Sequence, residues 1–161
     1  DLVTDCKTGT FILPEVEKRW QVLGPISDNV AKLLVDNKPD LVILEQTSAF
    51  SGGFITAQVS QCIGAILLLC LKSNIDVQFL FPTHVKKVLI GKGKATKTQM
   101  KKSIVNILNS LGFKDMKFSS EHAVDALANI FCYLSDSKLI TLPEPLFAPP
   151  VKVKKARGKT K

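Results

Sequence analysis

The sequence predicts an α/β fold of stacked layers, and three observations carry that reading. The run Leu41-Val42-Ile43-Leu44 follows a turn-like Asn37-Lys38-Pro39-Asp40 and ends in Glu45-Gln46, as expected of a short strand buried on both faces of a sheet. Ile75, Val77, Phe79 and Phe81 alternate with Asp76, Gln78 and Leu80, the period-2 pattern of a second strand with one face better buried. Apolar residues at helical spacing fill the stretches between and beyond, and strands alternating with helices build layers.

At the start of the chain, Leu2-Val3-Thr4-Asp5-Cys6 and Thr10-Phe11-Ile12-Leu13 flank Lys7-Thr8-Gly9, which predicts a β-hairpin with glycine in its turn. Pro14 ends its second strand. Residues 16–23 suit a helical turn or two before Gly24-Pro25 breaks or kinks the chain. Ser27 is placed to cap a helix that turns Val30, Leu33 and Leu34 to one side. Beyond Gln46, residues 47–54 read as a loop of small residues carrying Phe50 and Phe54. Residues 56–72 make a nearly all-apolar helix, which belongs either in the centre of the core or in a dimer interface.

Pro82 closes the strand that contains Val77 and Phe79. Residues 84–90 then form a short helix with Val85, Val88 and Leu89 inward and Lys86 and Lys87 outward. Gly91-Lys92-Gly93-Lys94-Ala95-Thr96-Lys97 is a basic, glycine-spaced loop. Thr96 with Gln99 has the form of a capping box, opening a helix that carries Met100, Ile104, Ile107, Leu108 and Leu111 and stops at Gly112. Ser119 or Ser120 caps a last helix over residues 121–134, apolar along Val124, Leu127, Leu134 and either Ile130 or Phe131. The proline-rich segment 143–150 and the basic residues after it have little core of their own. The expected division is a folded domain over 1–140 and an extension over 141–161.

A length of 161 residues suits one domain. The net charge of +8 points to a polyanionic partner, but six of those positive charges, Lys152, Lys154, Lys155, Arg157, Lys159 and Lys161, sit in an acid-free tail. That tail either adds salt-sensitive affinity for phosphate or is only a solubilising or localising segment. Cys6, Cys62, Cys70 and Cys132 show no CxxC pair or other metal spacing and read as free thiols of a reducing, intracellular compartment. The apolar run at 63–71 is too short to cross a bilayer, so no membrane association is expected, and no secretory signal is visible.

Three constellations can carry chemistry. Ligands gather beyond the carboxyl ends of strands in open α/β sheets, so Glu45 either works in a site or simply marks where its strand meets solvent. His122 and Asp125 lie three residues apart on one helix face, which Asn129 continues. With Glu45 they suit a pair of Mg²⁺ or Mn²⁺ ions that hydrolyse phosphodiesters; otherwise they are a capping imidazole and a solvated acid. Lys86, Lys87, Lys92, Lys94 and Lys97 either reach phosphates or form a solvated face. A nucleotide-binding protein is disfavoured, because no GxxxxGK[ST] pattern occurs. Phe50 or Phe54 either wedges among bases or folds onto the core.

Lys38-Pro39-Asp40-Leu41-Val42-Ile43-Leu44-Glu45-Gln46, Gln61-Cys62-Ile63-Gly64, Val85-Lys86-Lys87 with residues 91–97, and His122-Ala123-Val124-Asp125-Ala126-Leu127-Ala128 come in one order. In that order and spacing, over residues 17–134, the sequence resembles the RuvC family of Holliday-junction resolvases, within the RNase H-like superfamily. The resemblance implies a three-layer RNase H-like mixed sheet flanked by helices. It also implies a homodimer that binds four-way junction DNA and makes paired symmetric nicks with Mg²⁺, for which Mn²⁺ substitutes. Carried over, Glu45, His122 and Asp125 are the catalytic metal ligands, Lys86 and Lys97 lie near the scissile phosphate, Lys92 and Lys94 contact phosphate, and Phe50 inserts at the junction.

One departure is large. The family's first catalytic aspartate stands on a first strand in an Asp-x-Gly context, and no such motif occurs here. The chain between Asp5 and Glu45 is too short for a first strand, a hairpin and a helix. Residues 2–13 are therefore expected to be the second and third strands, with the first lying upstream of Asp1; Asp5 acting in its place is the alternative. A phage or other large-genome virus is a source that the divergence and basic tail suit. The competing function is a catalytically impaired nucleic-acid-binding module of the same fold.

Overall fold

The computed structural model describes residues 3, 5–46 and 53–147, the side chains of 53–56 excepted. A 3-10 turn at Arg19–Val22 runs straight into α1 (Leu23–Asn37), followed by β1 (Leu41–Glu45), α2 (Gly53–Lys72), β2 (Asp76–Leu80), α3 (Pro82–Ile90), α4 (Lys97–Ser110) and α5 (Glu121–Asp136). β1 and β2 pair in parallel, in register from Leu41 opposite Asp76 to Glu45 opposite Leu80. A parallel pair requires a long crossover, and α2 supplies it. The ladder continues one step past the strand, where the Gln46 N–H donates to the Leu80 carbonyl at 2.8 Å.

α1 and α2 pack together and α2 meets β2, while α5 meets β1 and packs with α3 and α4. The main core lies among these last three helices: Ile90, Ile104, Leu108 and Cys132 are fully buried there, and Ile43 of β1 reaches it from the sheet. Side chains two apart on a strand share a face, so Glu45 stands on the same face as Ile43, toward α5. The core thus positions the acid. No helix among the described residues is long and apolar enough to cross a membrane.

Helix boundaries set by local chemistry fall where the sequence puts them. Thr96 caps α4, accepting from the Gln99 N–H at 3.2 Å while Gln99 Oε1 accepts from the Thr96 N–H at 3.0 Å. Ser120 caps α5, accepting from the Ala123 N–H at 3.2 Å. α3 ends at Gly91 in the left-handed region, φ 77°, which only glycine adopts without strain.

Elsewhere the structure differs from the sequence pattern. Gly24-Pro25 does not break the helix but lies in the first turn of α1, where backbone N–H groups lack intrahelical partners and proline is tolerated; Ser27 is then interior rather than a cap. β1 is half-buried, not buried on both faces, because only β2 pairs with it among the described residues. Residues 5–13 form no hairpin ladder. Phe11, Ile12 and Leu13 are exposed and only Cys6 packs on the core, so no buried face holds two strands together. Instead Thr10 bonds through its hydroxyl to Ser119 and Ser120 at 3.1 and 2.9 Å, beside the cap of α5.

α2 is not the centre of the core. Cys70 is buried, but Val59, Leu68 and Leu71 are exposed. Residues past 140 do contribute to packing: Ile140, Leu142 and Phe147 lie against the main core.

Candidate active site at the end of strand β1

Glu45 ends β1, and the turns of α5 that carry Asp125 and Asn129 come up beside it. Burial and the neighbouring Asp125 carboxylate push the Glu45 carboxyl above its usual range, while a hydrogen bond from the Asn129 side chain and the Lys86 ammonium pull the other way. The Asn129 amide also donates to the Asp125 carbonyl at 3.0 Å. That bond, together with Asn129's burial at 6% exposure, fixes it beneath the pair. Its Oδ1 is buried with no hydrogen-bond partner among the described residues. Glu45 is the exposed end of its strand, and a like charge close by still disfavours its ionised form.

A second group of residues surrounds the adjoining helix starts. Lys97 opens α4 and Glu121 opens α5, and Lys97 Nζ lies 2.6 Å from Glu121 Oε2. The pair holds Glu121 below the usual carboxylate range and Lys97 above its own, with Asp125 also acting on Lys97. Lys97, Lys101, Phe118, Ser120, Glu121 and Asp125 line a cleft of about 260 Å³. Two helix N-termini and two lysines make this a place where anionic oxygens are favoured.

Of the candidate residues, the structure brings Glu45, Asp125 and Lys86 together and sets Lys97 next to Asp125. His122 is exposed in the first turn of α5, and Glu45, His122 and Asp125 do not form a closed set of donors within 4.8 Å among the described residues. Lys92 and Lys94 are exposed in the loop before α4, whose Ala95 is buried. Asp5 is turned elsewhere, accepting from the Cys6 N–H at 2.8 Å and pairing with Lys7 at 3.2 Å. Phe50 lies outside the described residues, as does the Phe54 side chain. Glu121, Lys101 and Phe118 were not singled out by the sequence, because their importance comes from how the starts of α4 and α5 meet.

A family model described as "Crossover junction endodeoxyribonuclease RuvC" matches residues 5–133, most of the chain. The chain belongs to the RuvC family. Its relatives include the crossover junction endodeoxyribonuclease RuvC of Halorhodospira halophila, 30% identical over 135 residues that cover 82% of this chain and 74% of that protein. The RuvC protein of Thermomicrobium roseum is 37% identical over 128 residues, 79% of this chain and 74% of the other. Among solved structures, Thermus thermophilus RuvC superposes with a TM-score of 0.63 at 24% identity, covering 76% of this chain and 72% of its own. The T. thermophilus RuvC in complex with Holliday junction substrate gives 0.62 at 22% identity, covering 78% and 74%. The fold is therefore the RNase H-like fold of the RuvC family.

The carboxylate pair suits a hard divalent cation on its own chemistry. Mg²⁺ binds through one or two carboxylates and keeps several waters. Glu45 and Asp125 supply two such groups, and a cation between them relieves the repulsion that helps hold Glu45 toward its neutral form.

Proposed function

We propose that the chain is a metal-dependent endonuclease that resolves four-way DNA junctions. In this reading Glu45 and Asp125, joined by His122 on the Asp125 face of α5, hold the catalytic ions, Mg²⁺ with Mn²⁺ as substitute. The observation that carries it is the pairing of Glu45 with Asp125, two carboxylates from different elements of which Glu45 is driven toward its neutral form by burial and then by Asp125. When bound, a pair of divalent ions supplies a nucleophilic water and stabilises the leaving oxygen of a phosphodiester.

The chain's own residues do the rest. Asn129 orients the Glu45 carboxylate and keeps it ionisable. Lys86 faces the same acid and balances charge beside a phosphate. Lys97 and Lys101 hold the phosphate in the cleft; Lys92, Lys94 and the basic tail add longer-range attraction. Phe50 is the proposed wedge at the junction. The domain over 1–140 carries the site, and 141–161 is its extension. Two copies, joined through the apolar face of α2, would make paired symmetric nicks. Four free cysteines suit work in a reducing compartment.

The test is cleavage of a labelled four-way junction beside a linear duplex of the same sequence, with Mg²⁺ or Mn²⁺. Paired symmetric nicks on the junction alone are expected, lost in Glu45→Gln. Junction binding with no nicks would replace this reading with that of a catalytically impaired DNA-binding module.

A further inference from the structure

At the opposite end of α5 from Glu121, three further side chains converge. His84, in the first turn of α3, has Nε2 2.7 Å from Asp136 Oδ2. Cys132 donates its thiol to the same oxygen, with Sγ 3.6 Å away, and the three donor atoms lie within 4.8 Å of one another. Cys132 and Asp136 are one turn apart on α5, so one helix face supplies two groups and the neighbouring helix the third. Asp125 and Asp136 are separated by roughly 16 Å of helix. This cluster is therefore distinct from the carboxylates at Glu45.

We propose that His84, Cys132 and Asp136 bind Zn²⁺, with the fourth position left to water. The ligand set of sulfur, nitrogen and oxygen is that of a zinc site, and it is wrong for Mg²⁺, which prefers oxygen alone. The spacing fits as well. With zinc bonds of about 2.3 Å to sulfur and about 2.0–2.1 Å to nitrogen and oxygen, a tetrahedral centre places S and O about 3.5 Å apart and N and O about 3.3 Å apart. The Sγ to Oδ2 separation already matches. The imidazole and carboxylate must open from their hydrogen bond by about half an ångström, and both side chains, 46% and 43% exposed, have room to do so.

Binding is proton-balanced. Cys132 gives up its thiol proton to solvent as the zinc–sulfur bond forms, and His84, whose Nε2–H donates to Asp136 in the metal-free chain, shifts its ring proton to Nδ1 by exchange with solvent and offers the Nε2 lone pair. Asp136 exchanges its two hydrogen bonds for the metal. A nucleophilic cysteine is the competing reading of these residues. It fails because the imidazole bonds to Asp136 rather than to sulfur, and burial with Asp136 pushes the thiol up to about 12. The bound ion would fasten α3, which carries Lys86, to α5, which carries Asp125.

The test uses the full untagged chain and Co²⁺ as a spectroscopic stand-in. One equivalent is expected to give tetrahedral-type visible bands and a thiolate charge-transfer band in the near ultraviolet, both bleached by Zn²⁺. Cys132→Ser should lose the charge-transfer band, and His84→Gln, which leaves the buried thiol in place, should weaken binding at least about tenfold. Asp125→Asn should leave the spectrum unchanged. Absence of the thiolate band in the wild-type chain would overturn the proposal, as would a band equally strong in Cys132→Ser or unaltered affinity in His84→Gln.

Discussion

Lys97 and Glu121 are the first residues of their helices, and their side chains meet at 2.6 Å across the cleft that also contains Asp125. Both are largely exposed, 74% and 68%, so the pair adds little to stability. Its consequence lies in binding, since Glu121 occupies the position between two helix N-termini that an anionic ligand favours. A phosphate entering the cleft must displace it.

Glu121→Gln therefore frees Lys97. Affinity for junction DNA is expected to rise several-fold at moderate salt, with the slope of log affinity against log salt steeper by about one. Titrations at four or five salt concentrations check this. A weaker complex with an unchanged slope would mean that Glu121 positions DNA instead of competing with it.

Lys97→Ala removes one of the two cations proposed to lie near the reacting phosphate. Cleavage is expected to fall by about 10²-fold, in line with the loss of one preorganised charge contact, and junction affinity by much less. Single-turnover rates at saturating enzyme separate the two effects. Equal losses would make Lys97 an ordinary phosphate contact.

Glu45→Gln tests the carboxylate pair through stability as well as activity. Because its pKa is raised in the fold, protonated Glu45 is the form the fold favours. That contribution is complete below the ordinary carboxylate range and is lost as pH rises through the raised value. At pH 7 without divalent ions, Glu45→Gln should thus melt above the wild-type chain, and the gain should vanish as pH falls through the carboxylate range. Mg²⁺ should raise the Tm of the wild type and leave the variant nearly unchanged. Cleavage should be undetectable while junction binding persists. Melting curves over a pH series, with and without Mg²⁺, provide the check.

What the sequence revealed and what it hid divide along local and tertiary lines. Thr96 with Gln99, Ser120 before Glu121 and Gly91 after Ile90 were legible because capping depends on residues within a turn of one another. Glu45 and Asp125 were legible as candidates because each sits at a recurrent place, a strand end and a helix face, and the ordered family motifs joined them. The ion pair of Lys97 with Glu121 was not legible, since it depends on how two helices dock. Neither was the exposure of Phe11 and Ile12: two short runs on either side of a glycine turn announce a hairpin, but a ladder also needs a buried face to hold it. Pro25 misled for a different reason, because the same residue that ends a helix from within can begin one.

Asn129 provides the test of how Glu45 is tuned. Its side chain hydrogen-bonds to the Glu45 carboxylate and holds its pKa down against burial and Asp125, and the same amide is anchored to the Asp125 carbonyl. Asn129→Ala removes that support, so the Glu45 pKa should climb further and the ionised form that a cation needs should appear only at higher pH. The acid limb of the pH–rate profile for junction cleavage should move to higher pH. The rate at the alkaline plateau should recover to within about tenfold of wild type, a small loss for an outer hydrogen-bonding partner. Mn²⁺, which competes for carboxylate oxygen more strongly than Mg²⁺, should offset part of the shift. A merely structural role for Asn129 gives a different signature, with the rate depressed by the same factor at every pH and no recovery in Mn²⁺.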